Sequence, residues 1–155
     1  MPRIAVLQMT SGIDPEANFA IIEQAVKDAV AGGADMLFTP EMSLLLDRNR
    51  KRAAKWIESD APAEMVERID GLRSEFELDI AIGSMPVAAS SGKWANRSFY
   101  FDEERGGPIR TYDKIHMFDV DLSSGETWRE SAAYEPGEEV VTIDNTPLGR
   151  LGLTI

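Results

Sequence analysis

Residues 3–9 (RIAVLQM) form a largely apolar, partly β-branched run, which predicts a buried strand. Asp14-Pro15-Glu16 then supplies a helix start: a cap, a proline for the first helical position and an acid for the first turn. Phe19, Ile22, Val26, Ala29 and Val30 follow at helical spacing, and Gly32-Gly33 stops the helix. A second short apolar strand, 35–39 (DMLFT), is closed by Pro40. This strand-helix-strand order predicts parallel strands joined by a crossover helix. A charged helix is expected over 48–56. Another opens at Asp60-Ala61-Pro62, with Met65, Ile69, Leu72 and Phe76 on one face.

Residues 79–85 (DIAIGSM) read as a third buried strand. Segments 96–101 and 109–114 read as a hairpin with Gly106-Gly107 at its turn. A last strand pair is expected over 140–143 and 148–155, joined through Asn145-Thr146-Pro147. The chain stops inside that final apolar run. Termini usually lie frayed at the surface, so residues 1–155 read as a segment of a longer domain. The pattern contains no repeat, linker or low-complexity stretch. The fold class is α/β.

Composition narrows the function. The 155 residues carry 16 Lys and Arg against 27 Asp and Glu, a net charge of −11. That balance disfavours nucleic acid and anionic membranes, both of which select clustered cations. The N-terminus turns polar at Gln8, too early for a signal-peptide core, so a cytoplasmic protein is expected. No cysteine is present, which excludes a disulfide framework and a cysteine nucleophile within these residues.

Three segments could carry chemistry. Glu41 directly follows the second strand, where α/β proteins gather functional groups, and a carboxylate there suits a general base. Lys114, in YDKIHMFDVD, ends a strand and could stabilise developing negative charge. The lone histidine, His116, reads as a hydrogen-bonded structural residue. Asp119, Asp121, Ser123 and Glu130 have calcium-loop spacing, but Ser124 stands where that loop needs glycine, which argues against it. Asn96-Arg97-Ser98 matches a glycosylation acceptor that means nothing without secretion.

Taken in order, IAVLQM, FTPE, YDKIHMFDVD, GETWRES, PGEE and TPLGRLGLTI resemble the carbon–nitrogen hydrolase (nitrilase) superfamily. The resemblance runs from end to end. It is nearest to the Nit-type amidases, including those acting on deaminated glutathione and the ω-amidases. It implies a four-layer α-β-β-α sandwich, of which residues 1–155 are the N-terminal part of a single domain. It implies Glu41 as general base, Lys114 as catalytic lysine and Glu130 as a supporting second glutamate. The cysteine nucleophile would follow Ile155. No metal or cofactor is implied, and the partners are a small carboxylate-bearing amide and a second copy in a homodimer or larger homo-oligomer. The arginines that would read a substrate carboxylate are not singled out by the pattern. Two alternatives accompany this reading: a truncated or repurposed binding protein of the same ancestry, and an N-carbamoyl amino acid hydrolase or nitrilase.

Overall fold

A computed structural model of the protein describes residues 1–102 and 110–155. Five strands form one sheet in sequential order: β1 (Ile4–Val6), β2 (Met36–Phe38), β3 (Asp79–Ala88), β4 (Trp94–Phe101) and β5 (Arg110–Asp113). The first three are parallel and the last two antiparallel. Helix α1 (Pro15–Ala31) connects β1 to β2, and α2 (Arg50–Ile57) with α3 (Ala61–Phe76) connects β2 to β3. Right-handed crossovers between strands laid down in one direction place all their helices on one face.

The helix starts follow from capping. Asp14 accepts hydrogen bonds from the backbone N–H groups of Glu16 and Ala17, and Pro15 fills the first turn. Helix α2 begins later than expected because Asn49, in extended conformation, accepts from the Arg52 N–H. Asp60 makes no side-chain cap, and Pro62 starts α3 instead.

Strand alternation then sorts the side chains. Leu37, Ile80, Ile82, Phe99 and Phe101 face the helices and pack with Ile22, Val26, Met65 and Ile69. Each such fully buried side chain contributes about 1.5–3 kcal/mol relative to exposure. Met36, Ala81, Tyr100 and Tyr112 point to the opposite face. There they meet Ile143 and Leu153, contributed by the hairpin of β8 (Thr142–Thr146) and β9 (Gly149–Gly152) and the residues after it.

Several expectations change. Residues 3–9 are not a buried strand. Only Ile4–Val6 is extended, on the sheet edge, with Ala5 and Leu7 against the core and Ile4 and Val6 exposed. An apolar run cannot tell that one of its faces is left uncovered by this chain. The final strand ends at Gly152 rather than running to 155. The hairpin arms β4 and β5 pair, with Ser98 opposite Tyr112, but the turn at Gly106-Gly107 lies outside the described residues. A hairpin of β6 (Asp119–Asp121) and β7 (Thr127–Arg129) stands where no strand pair was expected. Among the described residues, no helix is long and apolar enough to cross a membrane.

Candidate active site

Alternation along β4 and β5 sets the stage. Asn96 lies two and four residues from Ser98 and Tyr100, and Lys114 two from Tyr112, so Asn96 and Lys114 share the face opposite the helices. The two segments are held in register by Arg97, which grips Asp113 through two hydrogen bonds of 2.6 and 2.8 Å. The Lys114 N–H donates to the Asn96 carbonyl at 2.9 Å. Beyond Lys114, Gly137 closes on the strand end. Its N–H donates to the Lys114 carbonyl at 2.9 Å, and a Cβ at 137 would lie 2.3 Å from the Asp113 carbonyl oxygen.

Glu41 sits at the carboxyl end of β2, in a loop braced against a bulge in β3. The bulge falls between Ile82 and Met85. The Gly83 N–H donates to Thr39 Oγ1 at 3.1 Å, and the Met42 N–H donates to Ser84 Oγ at 2.8 Å. The Ser43 N–H donates to the Ser84 carbonyl at 2.9 Å. Met42 adopts a left-handed backbone with φ 52°, a costly conformation that the bracing maintains. From behind, buried Asn18 of α1 donates to the Leu44 carbonyl at 2.9 Å.

These frames bring Glu41, Lys114 and Glu130 together. Lys114 Nζ stands 2.9 Å from Glu41 Oε1 and 3.0 Å from Glu130 Oε2. The lysine and Glu130 side chains are only 10 % and 13 % exposed, whereas that of Glu41 is 49 % exposed. Glu130 begins a 3₁₀ turn (Glu130–Ala132), and its Oε2 also accepts from the Phe118 N–H at 2.6 Å. Burial works against the Lys114 charge. The hydrogen bonds to Glu41 and Glu130 outweigh it and hold the ammonium above the ordinary lysine range. Lys114 therefore remains a cation at neutral pH, with two of its three N–H bonds committed and the third without a partner among the described residues.

Asn96 was missed as a site residue. It is fully buried, and its Nδ2 donates to Glu41 Oε1 at 2.8 Å. Its only sequence signal is its place in the strand alternation. Tyr134 was missed as well. Its ring meets Trp94 edge-on at 5.7 Å, and burial, reinforced by the Glu130 charge, pushes its hydroxyl up to about 12.

His116 lies on an exposed bend, without a hydrogen bond among the described residues, and is not a structural hydrogen-bonding histidine. The calcium-loop carboxylates serve separate partners. Asp119 accepts from Ser131, Asp121 from Arg129, and Glu130 holds Lys114.

Glu41, Lys114 and Glu130 open onto a cavity of about 680 Å³ that Arg48, Trp128 and Tyr134 also line. A carboxylate and an ammonium that each keep one oxygen or donor unpartnered among the described residues can move a proton and hold a developing anion in one place.

The sequence profile of the carbon–nitrogen hydrolase family matches residues 3–155. The chain is 35 % identical over 156 residues to a deaminated glutathione amidase of Yersinia enterocolitica, covering 98 % of this chain and 53 % of that protein. It is 30 % identical over 162 residues to an omega-amidase of Saccharomyces cerevisiae, covering 99 % and 54 %. The crystal structure of the Caenorhabditis elegans NitFhit protein superposes with a TM-score of 0.85 at 26 % identity, over 99 % of this chain and 38 % of that one. The chain thus spans about half the length of the curated relatives it matches.

Proposed function

The chain belongs to the carbon–nitrogen hydrolase family, and from that premise we propose that it is the N-terminal part of a single hydrolase domain whose whole cleaves the amide bond of a small carboxylate-bearing substrate. The products are the corresponding acid and ammonia. The relatives named for deaminated glutathione and omega-amides support this substrate class.

The mechanism assigns each group one task. A cysteine beyond Ile155 gives its thiol proton to Glu41, because the thiolate is the nucleophile. The thiolate attacks the amide carbon, and the remaining N–H of Lys114 receives the oxyanion, a donor worth about 3–4 kcal/mol. Glu41 returns its proton to the departing nitrogen, which leaves as ammonia and a thioester remains. Glu41 then takes a proton from water, which attacks the thioester, and the thiol re-forms with the free acid. Glu130 keeps Lys114 charged and aimed. No metal or cofactor takes part. The protein acts in the cytoplasm as a homodimer or larger homo-oligomer.

One observation carries the reading. Glu41 Oε1 receives both Lys114 and Asn96, while its Oε2 accepts nothing among the described residues and the side chain, half exposed, lines the cavity. The test is ammonia release by the full-length protein from a panel of amides that includes deaminated glutathione, with nitriles and N-carbamoyl amino acids alongside. Release from ω-amides that vanishes in Glu41→Gln supports the reading. Release from none of the panel overturns it and favours a binding role.

A further inference from the structure

Among the described residues, six arginines of this acidic chain end on carboxylates: Arg52 on Asp47, Arg68 on Glu16, Arg73 on Asp70, Arg97 on Asp113, Arg129 on Asp121 and Arg150 on Asp144. Of those with no carboxylate partner among the described residues, Arg48 and Arg50 both line the cavity that holds Glu41 and Lys114, although 27 acids are present in the chain. Arg48 lies over the ring of Trp128, 5.0 Å from its centroid, a contact that orients the guanidinium while its N–H groups donate to no partner among the described residues. Arg50 makes only a 3.5 Å approach to the Ala132 carbonyl. The nearest acid in sequence, Asp47, is already taken by Arg52 through bonds of 2.6 and 2.8 Å.

Local folding does not account for these charges. Arg50, Lys51 and Arg52 occupy the first turn of α2, which contains no acid. A helix N-terminus favours negative charge there, so the cations oppose the helix dipole. A local rule broken without local compensation is the usual mark of a functional position. An anion docked between Arg48 and Arg50 resolves the conflict, because it satisfies both guanidiniums and the dipole together.

We propose that Arg48 and Arg50 are specificity-determining residues that bind the carboxylate of the amide substrate, remote from the reacting carbon. The cavity places this anion-binding wall in the same space as the Glu41–Lys114 pair, so one short molecule can present its amide to one end and its carboxylate to the other. The Trp128 ring adds an apolar surface to the same lining. Arg48 and Arg50 also border a second, more open concavity of about 780 Å³ that holds neither Glu41 nor Lys114. This inference rests on the amidase reading for the identity of the amide end, but not for the anion.

The experiment compares two amides of equal chain length in the full-length protein: succinamic acid, which carries a carboxylate, and butyramide, which does not. The wild type is expected to favour succinamate. In Arg48→Gln/Arg50→Gln the ratio of kcat/KM for succinamate over butyramide should fall at least about tenfold, the size of one charge-assisted hydrogen bond. Arg48→Lys/Arg50→Lys, which keeps the charge but not the fork, should retain part of the ratio and shows that the fold persists. An unchanged ratio in the glutamine variant overturns the proposal. Calorimetric titration with succinate alone separates the two readings. If the wild type cleaves neither amide but binds succinate, and the glutamine variant does not, the arginine assignment stands and the amidase reading falls. Equal or absent succinate binding in both proteins overturns the arginine assignment.

Discussion

Asn96 Nδ2 and Glu41 Oε1 stand 2.8 Å apart, and that same oxygen takes the Lys114 ammonium at 2.9 Å. Two donors on one oxygen fix the carboxylate plane and leave the other oxygen as the proton acceptor. Among the described residues Asn96 Oδ1 is buried with no partner, so there the amide is held by this one contact and by packing. In the proposed reaction Asn96 is a positioning residue. Asn96→Ala should lower kcat/KM by about 10–100-fold with the fold intact, the size expected for a lost hydrogen bond to a charged group. Asn96→Asp puts a like charge beside Glu41 and should move the acid limb of the pH–rate profile upward. A pH–rate series on both variants checks this, since loose packing alone lowers the rate without moving that limb.

Lys114 stands between two carboxylates, Glu41 and Glu130. Lys114→Met removes the proposed oxyanion donor and leaves Glu41 and Glu130 facing each other unneutralised, so kcat/KM should fall about 10²–10³-fold. Lys114→Arg should not restore it, because a planar fork cannot reproduce one ammonium set between two separate oxygens. Glu130→Gln keeps an acceptor for the Phe118 N–H and should lose less than Lys114→Met. Steady-state kinetics on the three variants establish the order.

Gly83 tests the bracing of the Glu41 loop. A Cβ at this position would lie 2.2 Å from the Thr39 carbonyl oxygen and 2.6 Å from Pro40 backbone atoms. Neither neighbour can yield without moving Glu41. Gly83→Ala should cost about 1–3 kcal/mol of stability as an overpacked site and reduce activity by more than stability alone accounts for. Urea unfolding and kcat/KM on the same preparation separate the two effects. Equal midpoints for the variant and the wild type would show that the loop gives way freely.

Much of this architecture is legible along the chain. The caps at Asp14 and the stop at Gly32, the face of Met65, Ile69 and Leu72, and the three parallel strands all follow from local rules. The motif resemblance brings Glu41, Lys114 and Glu130 to one place. What stays hidden depends on pairing. Asn96 reads as a glycosylation pattern, and only its partners across β3 and β5 show it to be buried against Glu41. The β6–β7 hairpin has strands of three residues, DVD and TWR, too short for a period to register. It is held by an ion pair, Arg129 to Asp121, that no periodicity announces. Ile4 and Val6 look like core by composition, yet lie exposed because coverage is a property of the assembled sheet.

Lys114 and Tyr134 together predict the alkaline behaviour of the fold. Both are raised above their ordinary values of 10.5 and 10.0: the lysine because its carboxylate hydrogen bonds outweigh burial, the tyrosine, at about 12, because of burial and the Glu130 charge. A group whose value is raised on folding contributes stability that is fully present below its unfolded value and is lost as pH climbs through its folded value. Near neutrality both contributions are therefore fully present and independent of pH. Both should withdraw their contributions as pH rises from about 10 toward 12, where the unfolded chain sheds these protons more readily than the folded one. The urea midpoint of the wild type should fall more steeply between pH 9 and pH 11.5 (~2.5 pH units, spanning the ordinary values) than that of Tyr134→Phe or Lys114→Met. Parallel falls in all three proteins would mean that neither group is coupled to folding.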